Sequence, residues 1–335
     1  MAFEFSLQSV SKCRNLLMGY AILGVLVGHI ISFGDVKSFG FINAILWLSA
    51  LVHTAGFLFL SGFGAFYSLH KRECIWDFYK RRVKRFLLPF LLLALPFYVL
   101  VCYVNGYDLL QYLSYISTVE FWLHGNYHGM WYIAVSLLLY IITPPICNLF
   151  SWLKIIDIAR DIILVCLALG ICYCVKCYFP DYYEQESIGL KPLPMFYVGF
   201  LFGDLSQKKF GQNSIVMMGL FIIVAILYFI DIPVYGIGFI LQRLFGIMLV
   251  CLVFKILMDN QTIYLFTIFN WLGKYTFELY ILHLYYWFII KGICNYGEMF
   301  NIVTAVLLSI LTCAPVHKLI EYIVSLVRRK KRLCI

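Results

Sequence analysis

The chain has 335 residues, of which 63% are hydrophobic, 19% are aromatic and only 13% are charged. Charged residues make up about a quarter of an ordinary soluble domain, so this composition excludes that class and indicates a helical membrane protein. The net charge of +9 then reflects basic cytoplasmic loops, and we expect no nucleic-acid partner.

The first apolar run predicts a retained signal anchor. Glu4, Lys12 and Arg14 precede the run or lie at its start, and no cleavage site of small residues follows it. A cleavable signal peptide would need such a site. We therefore expect the first helix to stay in the membrane.

Ten apolar runs are long enough, or nearly so, to cross a bilayer as helices. In chain order they lie at 15–34, 41–69, 86–104, 129–150, 160–178, 192–205, 214–231, 234–258, 275–291 and 299–317. The run at 192–205 is short, which favours a tilted, bent or partly inserted helix. Because no repeat or soluble appendage is apparent, we predict an all-α polytopic membrane protein with about ten transmembrane helices and one domain, 1–335.

The distribution of basic residues supports this count. With the N-terminus in the cytoplasm and strict alternation, cytoplasmic segments hold all but five of the 26 basic residues. The exceptions are Lys37, Lys176, Lys191 and Lys291 in outer segments and Arg243 inside a helix. Membrane proteins concentrate lysine and arginine in cytoplasmic loops, so both termini are predicted to be cytoplasmic.

The outer segment 105–128 lacks lysine and arginine but is rich in aromatic and amide side chains, including Trp122. Such side chains suit the faces and hydroxyl groups of sugars. They are also typical of the aromatic belt at a membrane interface. Both interpretations stay open.

Twelve cysteines are present, mostly single residues within apolar runs, where cysteine packs as a small hydrophobe. The cluster ICYCVKC holds Cys172, Cys174 and Cys177. A zinc site needs a fourth ligand and usually a loop. Packing is therefore favoured over zinc or a disulfide, and no metal is expected.

Polar residues within the apolar runs must face the protein interior or water. The candidates for chemistry among them include His29, His53, Arg243, Glu278 and His283. His29 is a candidate general base for an attacking hydroxyl, and the alternative is a histidine bonded to a neighbouring helix. We expect Glu278 to pair with Arg243 because an unpaired charge in lipid is costly. His283 is assigned a structural or pore-lining role.

The segment FYKRRVKRFLLPF, residues 78–90, is a strongly basic cytoplasmic entry to the third helix. Arg82 and Arg85 lie three apart and are predicted to share a helix face. Two neighbouring guanidinium groups bind phosphate in a bidentate manner. The phosphates of coenzyme A and anionic lipid headgroups are the two candidate ligands.

Six segments follow one another in an order that resembles the acyltransferase-3 family of integral membrane acyltransferases. They are GVLVGH, GFLFLSGFGAFYSLH, YKRRVKRFLLPF, HGMWYIAVSLLLYIITPP, MFYVGFLFG and LGKYTFELYILH. The resemblance extends from about residue 14 to residue 290. It implies ten helices, acetyl-CoA or another acyl-CoA as cytoplasmic donor, and O-acylation of extracytoplasmic glycans or glycolipids.

The resemblance also assigns residues. His29 matches the histidine of the family's first-helix motif, whereas Met18 stands where the family has arginine and Arg14 lies one turn earlier. Arg82 and Arg85 match the family's basic pair, and Ser61 matches its second-helix signature. Arg14, Arg82, Arg85 and Ser61 are therefore the expected donor-binding residues.

His128, Trp131 and Trp122 are candidates for contact with the acceptor at the outer end of the fourth helix. Together these observations predict a membrane-bound O-acyltransferase, of O-acetyltransferase type, in a bacterial plasma (inner) membrane. Its partners would be membrane lipid and a surface polysaccharide or glycolipid. A transporter or flippase of glycan precursors is the alternative, because such proteins also use intramembrane His, Arg and Glu.

Overall fold

The computed structural model describes residues 5–35, 40–70, 74–125, 130–230, 236–259, 263–293 and 296–333. Within these ranges the chain is helical and contains no strand. The α-helices are α1 Leu7–Lys12, α2 Arg14–Phe33, α3 Gly40–Ala50, α4 His53–His70, α5 Ile75–Arg82, α6 Leu88–Asn105, α7 Leu109–Ile116, α8 Val119–His124, α9 Trp131–Trp152, α10 Asp157–Tyr178, α11 Pro180–Leu190, α12 Pro194–Leu205, α13 Ser214–Ile230, α14 Ile237–Asp259, α15 Ile263–Lys274, α16 Thr276–Ile293 and α17 Glu298–Leu333. A π-helical turn at Val83–Leu87 joins α5 to α6, and a 3-10 turn lies at Lys209–Gln212.

Seven helical segments in the described ranges are long and apolar enough to cross a membrane, so the protein is an all-α, multi-pass membrane protein. They are Arg14–Phe33, Gly40–His70, Ile75–Asn105, Trp131–Trp152, Asp157–Tyr178, Ile237–Met258 and Glu298–Leu326. Two predicted runs form the shorter apolar helices α12 and α13. The run at 275–291 forms α16, which is helical but is not among the seven.

The helices divide into two compact units. The first contains residues 1–25, 38–73 and 138–274, and the second contains 26–37, 74–137 and 275–335. Helices α2 and α9 each contribute to both units. The single domain expected from the sequence stays a prediction.

The second apolar run of the sequence is interrupted within the first unit. A turn at Leu51 and Val52 separates α3 from α4. The Arg243 side chain of α14 donates a hydrogen bond to the carbonyl oxygen of Ala50, at the end of α3. Because the last carbonyl groups of a helix lack intrahelical donors, Arg243 stabilises this interruption.

The close packing of α4 against α12 depends on two glycines in the first unit. A Cβ atom at Gly62 would overlap the carbonyl oxygen of Phe196, and one at Gly199 would overlap that of Phe59. Glycine therefore lets the two backbones approach more closely than any other residue would allow, as is common between membrane helices.

The second unit is organised around an antiparallel pair formed by α16 and α17. Glu278 Oε1 lies 2.7 Å from His317 Nδ1 near one end of the pair, and Lys291 Nζ lies 2.5 Å from Glu298 Oε1 at the other. These two contacts fix the register of the helices. Every residue of α16 from Thr276 to Leu284 except Phe277 is buried, which makes this segment part of the core of the unit.

Candidate functional site

The centre of the candidate site is a pair of histidines within the second unit. His29 of α2 and His283 of α16 face each other, with His29 Nδ1 2.8 Å from His283 Nε2. His283 is completely buried, whereas His29 is half-buried. A buried imidazole and a more accessible one therefore share a single hydrogen bond.

A backbone carbonyl sets the tautomers of this pair. His283 Nδ1 lies 2.7 Å from the carbonyl oxygen of Leu279, one turn earlier in α16. A carbonyl oxygen only accepts hydrogen bonds, so His283 carries its proton on Nδ1 and Nε2 is an acceptor. With both rings neutral, His29 must donate from Nδ1, and its Nε2 is left with a lone pair that can accept a proton.

Aromatic rings hold His29 in place. The Phe33 ring stacks on the imidazole at a centroid distance of 4.8 Å and an interplanar angle of 11°. Phe33 in turn stacks on Trp287, at 4.6 Å. The hydrogen bond and the stacking together fix the orientation of the imidazole, which a general base requires.

Glu278 has a different partner from the one the sequence predicts. Its carboxylate contacts His317 of α17, and Arg243 caps α3 in the first unit, so the expected Glu278–Arg243 pair is wrong. Glu278 is only 3% exposed. The buried carboxylate does have a partner, but the sequence does not single out His317, which lies at the end of its apolar run.

The basic pair of the sequence lies around the π-helical turn. The Arg82 guanidinium lies 5.0 Å from the centroid of the Phe78 ring, and Arg85 is exposed. A π turn has i→i+5 hydrogen bonds and winds more slowly than an α-helix. Arg82 and Arg85 are therefore further apart around the helix axis than they would be in an α-helix, where they are predicted to share a face.

Two other expected donor-binding residues belong to the first unit. Arg14 is exposed at the start of α2, and its Nη2 atom lies close to Gly64 of α4. Ser61 is buried in α4 beside Gly62. Met18 is half-buried one turn after Arg14.

The predicted outer segment contains two short helices, α7 and α8, and is more ordered than a loop. Asp108 caps α7 by accepting a hydrogen bond from Gln111 N at 2.8 Å. Trp122 is half-buried and packs edge-to-face on Phe121 at 4.9 Å. Burial raises the pKa of Tyr115 in this segment to about 12, which keeps its hydroxyl neutral.

The other two residues expected to contact the acyl acceptor are Trp131 and His128. Trp131 is buried at the start of α9, with 8% of its surface exposed. His128 lies outside the described residues. In the described ranges, no three His, Cys, Asp or Glu residues are grouped as metal ligands would be.

The cysteine cluster has mixed surroundings. Cys172 is buried and its thiol lies 3.3 Å from the carbonyl oxygen of Leu190, whereas Cys174 and Cys177 are exposed. All three are free thiols. Packing therefore accounts for Cys172 alone.

Comparison with known proteins gives one match. A family model described as an acyltransferase domain matches residues 15–316 and thus covers most of the chain. No curated protein and no solved structure matches the chain.

Proposed function

Because the chain belongs to the acyltransferase-3 family, we propose that it transfers an acetyl group from cytoplasmic acetyl-CoA to a hydroxyl of an extracytoplasmic glycan or glycolipid. The observation that carries this proposal is the hydrogen-bonded chain from Leu279 through His283 to His29. This chain leaves His29 Nε2 available as a proton acceptor.

In the proposed reaction, His29 Nε2 removes the proton of the acceptor hydroxyl as its oxygen attacks the thioester carbonyl carbon. The C–O bond forms, the C–S bond breaks, and the imidazolium of His29 returns the proton to the departing thiolate. The products are an ester and free coenzyme A thiol, so protons balance within one turnover. His283 acts here as a positioning residue that holds the tautomer and orientation of His29.

Basic side chains support the donor side of the proposal. Arg82 and Arg85 adjoin the π-helical turn, and π turns are frequent at functional sites. We assign them the phosphates of coenzyme A, with Arg14 and Ser61 as further donor contacts. Guanidinium groups suit this role because they make charge-assisted, bidentate hydrogen bonds to phosphate oxygens.

The topology completes the proposal. We infer ten membrane crossings with both ends of the chain in the cytoplasm of a bacterial cell, as the bias of basic residues predicts. The donor then approaches from inside and the acceptor from outside, past α7 and α8 with Trp122, Trp131 and His128. A site within the membrane shelters the thioester from hydrolysis by bulk water.

The decisive experiment compares His29→Ala with the wild type and with His70→Ala, which removes a more exposed histidine at the end of α4. Detergent-purified protein is incubated with radiolabelled acetyl-CoA and an extract of surface glycan. We expect label in the glycan with the wild type and His70→Ala, and a loss of about 10²–10⁴-fold in rate with His29→Ala.

Two outcomes would contradict the proposal. Equal labelling by His29→Ala would remove the general base. An absence of labelling by wild-type protein that retains its fold would favour the alternative, a transporter of glycan precursors.

A further inference from the structure

The face of α16 that carries His283 continues toward the connection with α17. His283, Trp287 and Lys291 recur at intervals of four residues and therefore lie along one side of the helix. The Lys291–Glu298 contact aligns this side with the first turn of α17. Asn301 follows Glu298 by three residues, so it lies nearly level with Trp287 on the facing helix.

Asn301 is the most unusual residue of this region. Its side chain is completely buried, yet neither its amide nitrogen nor its amide oxygen has a hydrogen-bond partner in the described part of the protein. Buried amide groups are almost always hydrogen-bonded because the loss of water would otherwise be uncompensated. Such an amide offers two N–H donors and an acceptor oxygen to a molecule that enters from outside.

Two neighbouring polar atoms share this property. The indole Nε1 of Trp287 and the second carboxylate oxygen of Glu298, Oε2, are both buried and unpartnered among the described residues. Lys291 and Glu298 are half-exposed, with 49% and 41% of their side chains accessible. The unpartnered Glu298 oxygen thus belongs to an ion pair that is partly open to the surroundings.

Trp287 is connected to His29 through a single aromatic ring. Trp287 stacks on Phe33, which stacks on the His29 imidazole. A Cβ atom at Gly34, just after Phe33, would meet the Met299 side chain of α17. The end of α2 therefore packs on the first turn of α17, and both lie within the second unit.

We propose that Asn301, Trp287 and Glu298 form a subsite for a glycosyl unit of the acceptor. This inference rests on the proposed acyl transfer and adds the residues that hold the sugar. A pair of adjacent hydroxyl groups both donates and accepts hydrogen bonds. The Asn301 amide and the Trp287 indole supply donors, and the Asn301 and Glu298 oxygens supply acceptors. Only the Phe33 ring separates Trp287 from His29, so a sugar held at this subsite lies near the base.

A polyhydroxylated ring fits this set better than an anionic or wholly apolar ligand. The Lys291–Glu298 pair has no net charge to attract an anion, and an apolar ligand would leave the three groups unpaired. For that reason, sites that hydrogen-bond the hydroxyl groups of a ligand strongly reject analogues that lack those groups.

The test uses two substitutions that each remove hydrogen-bonding groups from the full-length, detergent-purified protein. Asn301→Leu removes the amide, and Trp287→Phe removes the indole N–H while retaining a ring to stack on Phe33. Ser309→Ala is the matched control, because Ser309 is equally buried in α17 but its hydroxyl donates to the Val306 carbonyl. The KM values for surface-glycan extract and for acetyl-CoA are measured together with Tm.

We expect Asn301→Leu to raise the KM for glycan at least tenfold and Trp287→Phe to raise it severalfold. The KM for acetyl-CoA stays within twofold in both variants. The Tm of Asn301→Leu does not fall, since the replaced amide has no partner in the described structure to lose. Ser309→Ala leaves the KM for glycan within twofold.

Two results would overturn the subsite. One is a KM for glycan within twofold of wild type in both variants. The other is a lower Tm with a parallel loss of affinity for both substrates, which would identify a packing role for Asn301.

A separate binding measurement distinguishes this inference from the proposed function. Quenching of intrinsic tryptophan fluorescence by the glycan extract reports binding without turnover. Quenching that is weakened by Asn301→Leu would support the subsite even if the wild type transferred no label. Transfer of label by the wild type with unchanged quenching in Asn301→Leu would refute the subsite alone.

Discussion

His29 Nδ1 and His283 Nε2 are 2.8 Å apart although 254 positions separate these residues in the chain. The buried member of the pair is anchored to the Leu279 carbonyl, and the accessible member keeps a lone pair on its second nitrogen. This is the arrangement expected of a general base whose orientation and tautomer are fixed by a second group.

The first prediction concerns His283. A glutamine at this position can place its amide oxygen where Nε2 lies and accept the proton of His29 Nδ1, whereas an asparagine is too short to do so. We expect His283→Gln to retain more kcat than His283→Asn. His283→Ala should lose as much as the whole contribution of a positioned base to kcat, which is about 10²–10⁴-fold. The rate of label transfer to glycan measures the effect.

Thermal stability provides the control for this series. A purely structural role for His283 would make kcat follow the Tm of the variants. Equal kcat for His283→Gln and His283→Asn at matched stability would contradict the positioning role.

Much of the helical framework is predictable from the sequence because a bilayer imposes long apolar helices on the chain. The interruption at Leu51 and Val52 and the π turn at Val83–Leu87 are not apparent in the pattern of apolar residues. The interruption depends on a contact with a distant residue, the Arg243 side chain that caps α3.

The candidate site is only partly predictable for a related reason. His29 is identifiable because an imidazole in an apolar helix requires a polar surrounding. Its pairing with His283, and that of Glu278 with His317, depends on the register of helices far apart in sequence. Asn301 gave no signal at all, because a lone asparagine near a helix start is common.

The second prediction compares two glycines of α4. Gly62→Ala would place a methyl group against the Phe196 backbone, whereas a Cβ at Gly64 would lie 3.7 Å from its nearest neighbour, Arg14 Nη2. We expect Gly62→Ala to lower the free energy of unfolding by about 1–3 kcal/mol, the usual effect of overpacking. Gly64→Ala should be neutral or stabilising because alanine favours the helix. Unfolding in mixed detergent micelles measures both, and equal stability of the two variants would contradict the close approach of α4 and α12.

The third prediction tests the Glu278–His317 contact. Glu278→Ala leaves the imidazole without its buried partner, and breaking a buried pair costs about 3–5 kcal/mol. We expect the free energy of unfolding to fall by about 3 kcal/mol, the lower end of this range, because His317 remains 21% accessible. Glu278→Gln preserves a hydrogen bond and should lose less stability.

Glu321→Gln is the matched control, since Glu321 is 71% exposed and lies 3.5 Å from the same imidazole. Its stability should match that of the wild type, and a loss as large as that of Glu278→Ala would assign the stabilising contact to Glu321 instead.

The last prediction concerns the donor side and separates phosphate binding from packing. Arg82→Ala should weaken binding of acetyl-CoA about tenfold to a hundredfold, because a hydrogen bond to a charged group contributes about 1.5–3 kcal/mol. Arg82→Lys should lose less affinity but should not restore it fully, since an ammonium group lacks the bidentate geometry of a guanidinium. Lys80→Ala is the control, because Lys80 is 69% exposed and lies 3.9 Å from Asp77.

Isothermal titration with acetyl-CoA and with acetyl-pantetheine, which lacks the phosphates, shows whether the loss of affinity in Arg82→Ala comes from phosphate binding or from packing. We expect the loss only with acetyl-CoA, and an equal loss with both compounds would show that Arg82 acts through its packing on Phe78.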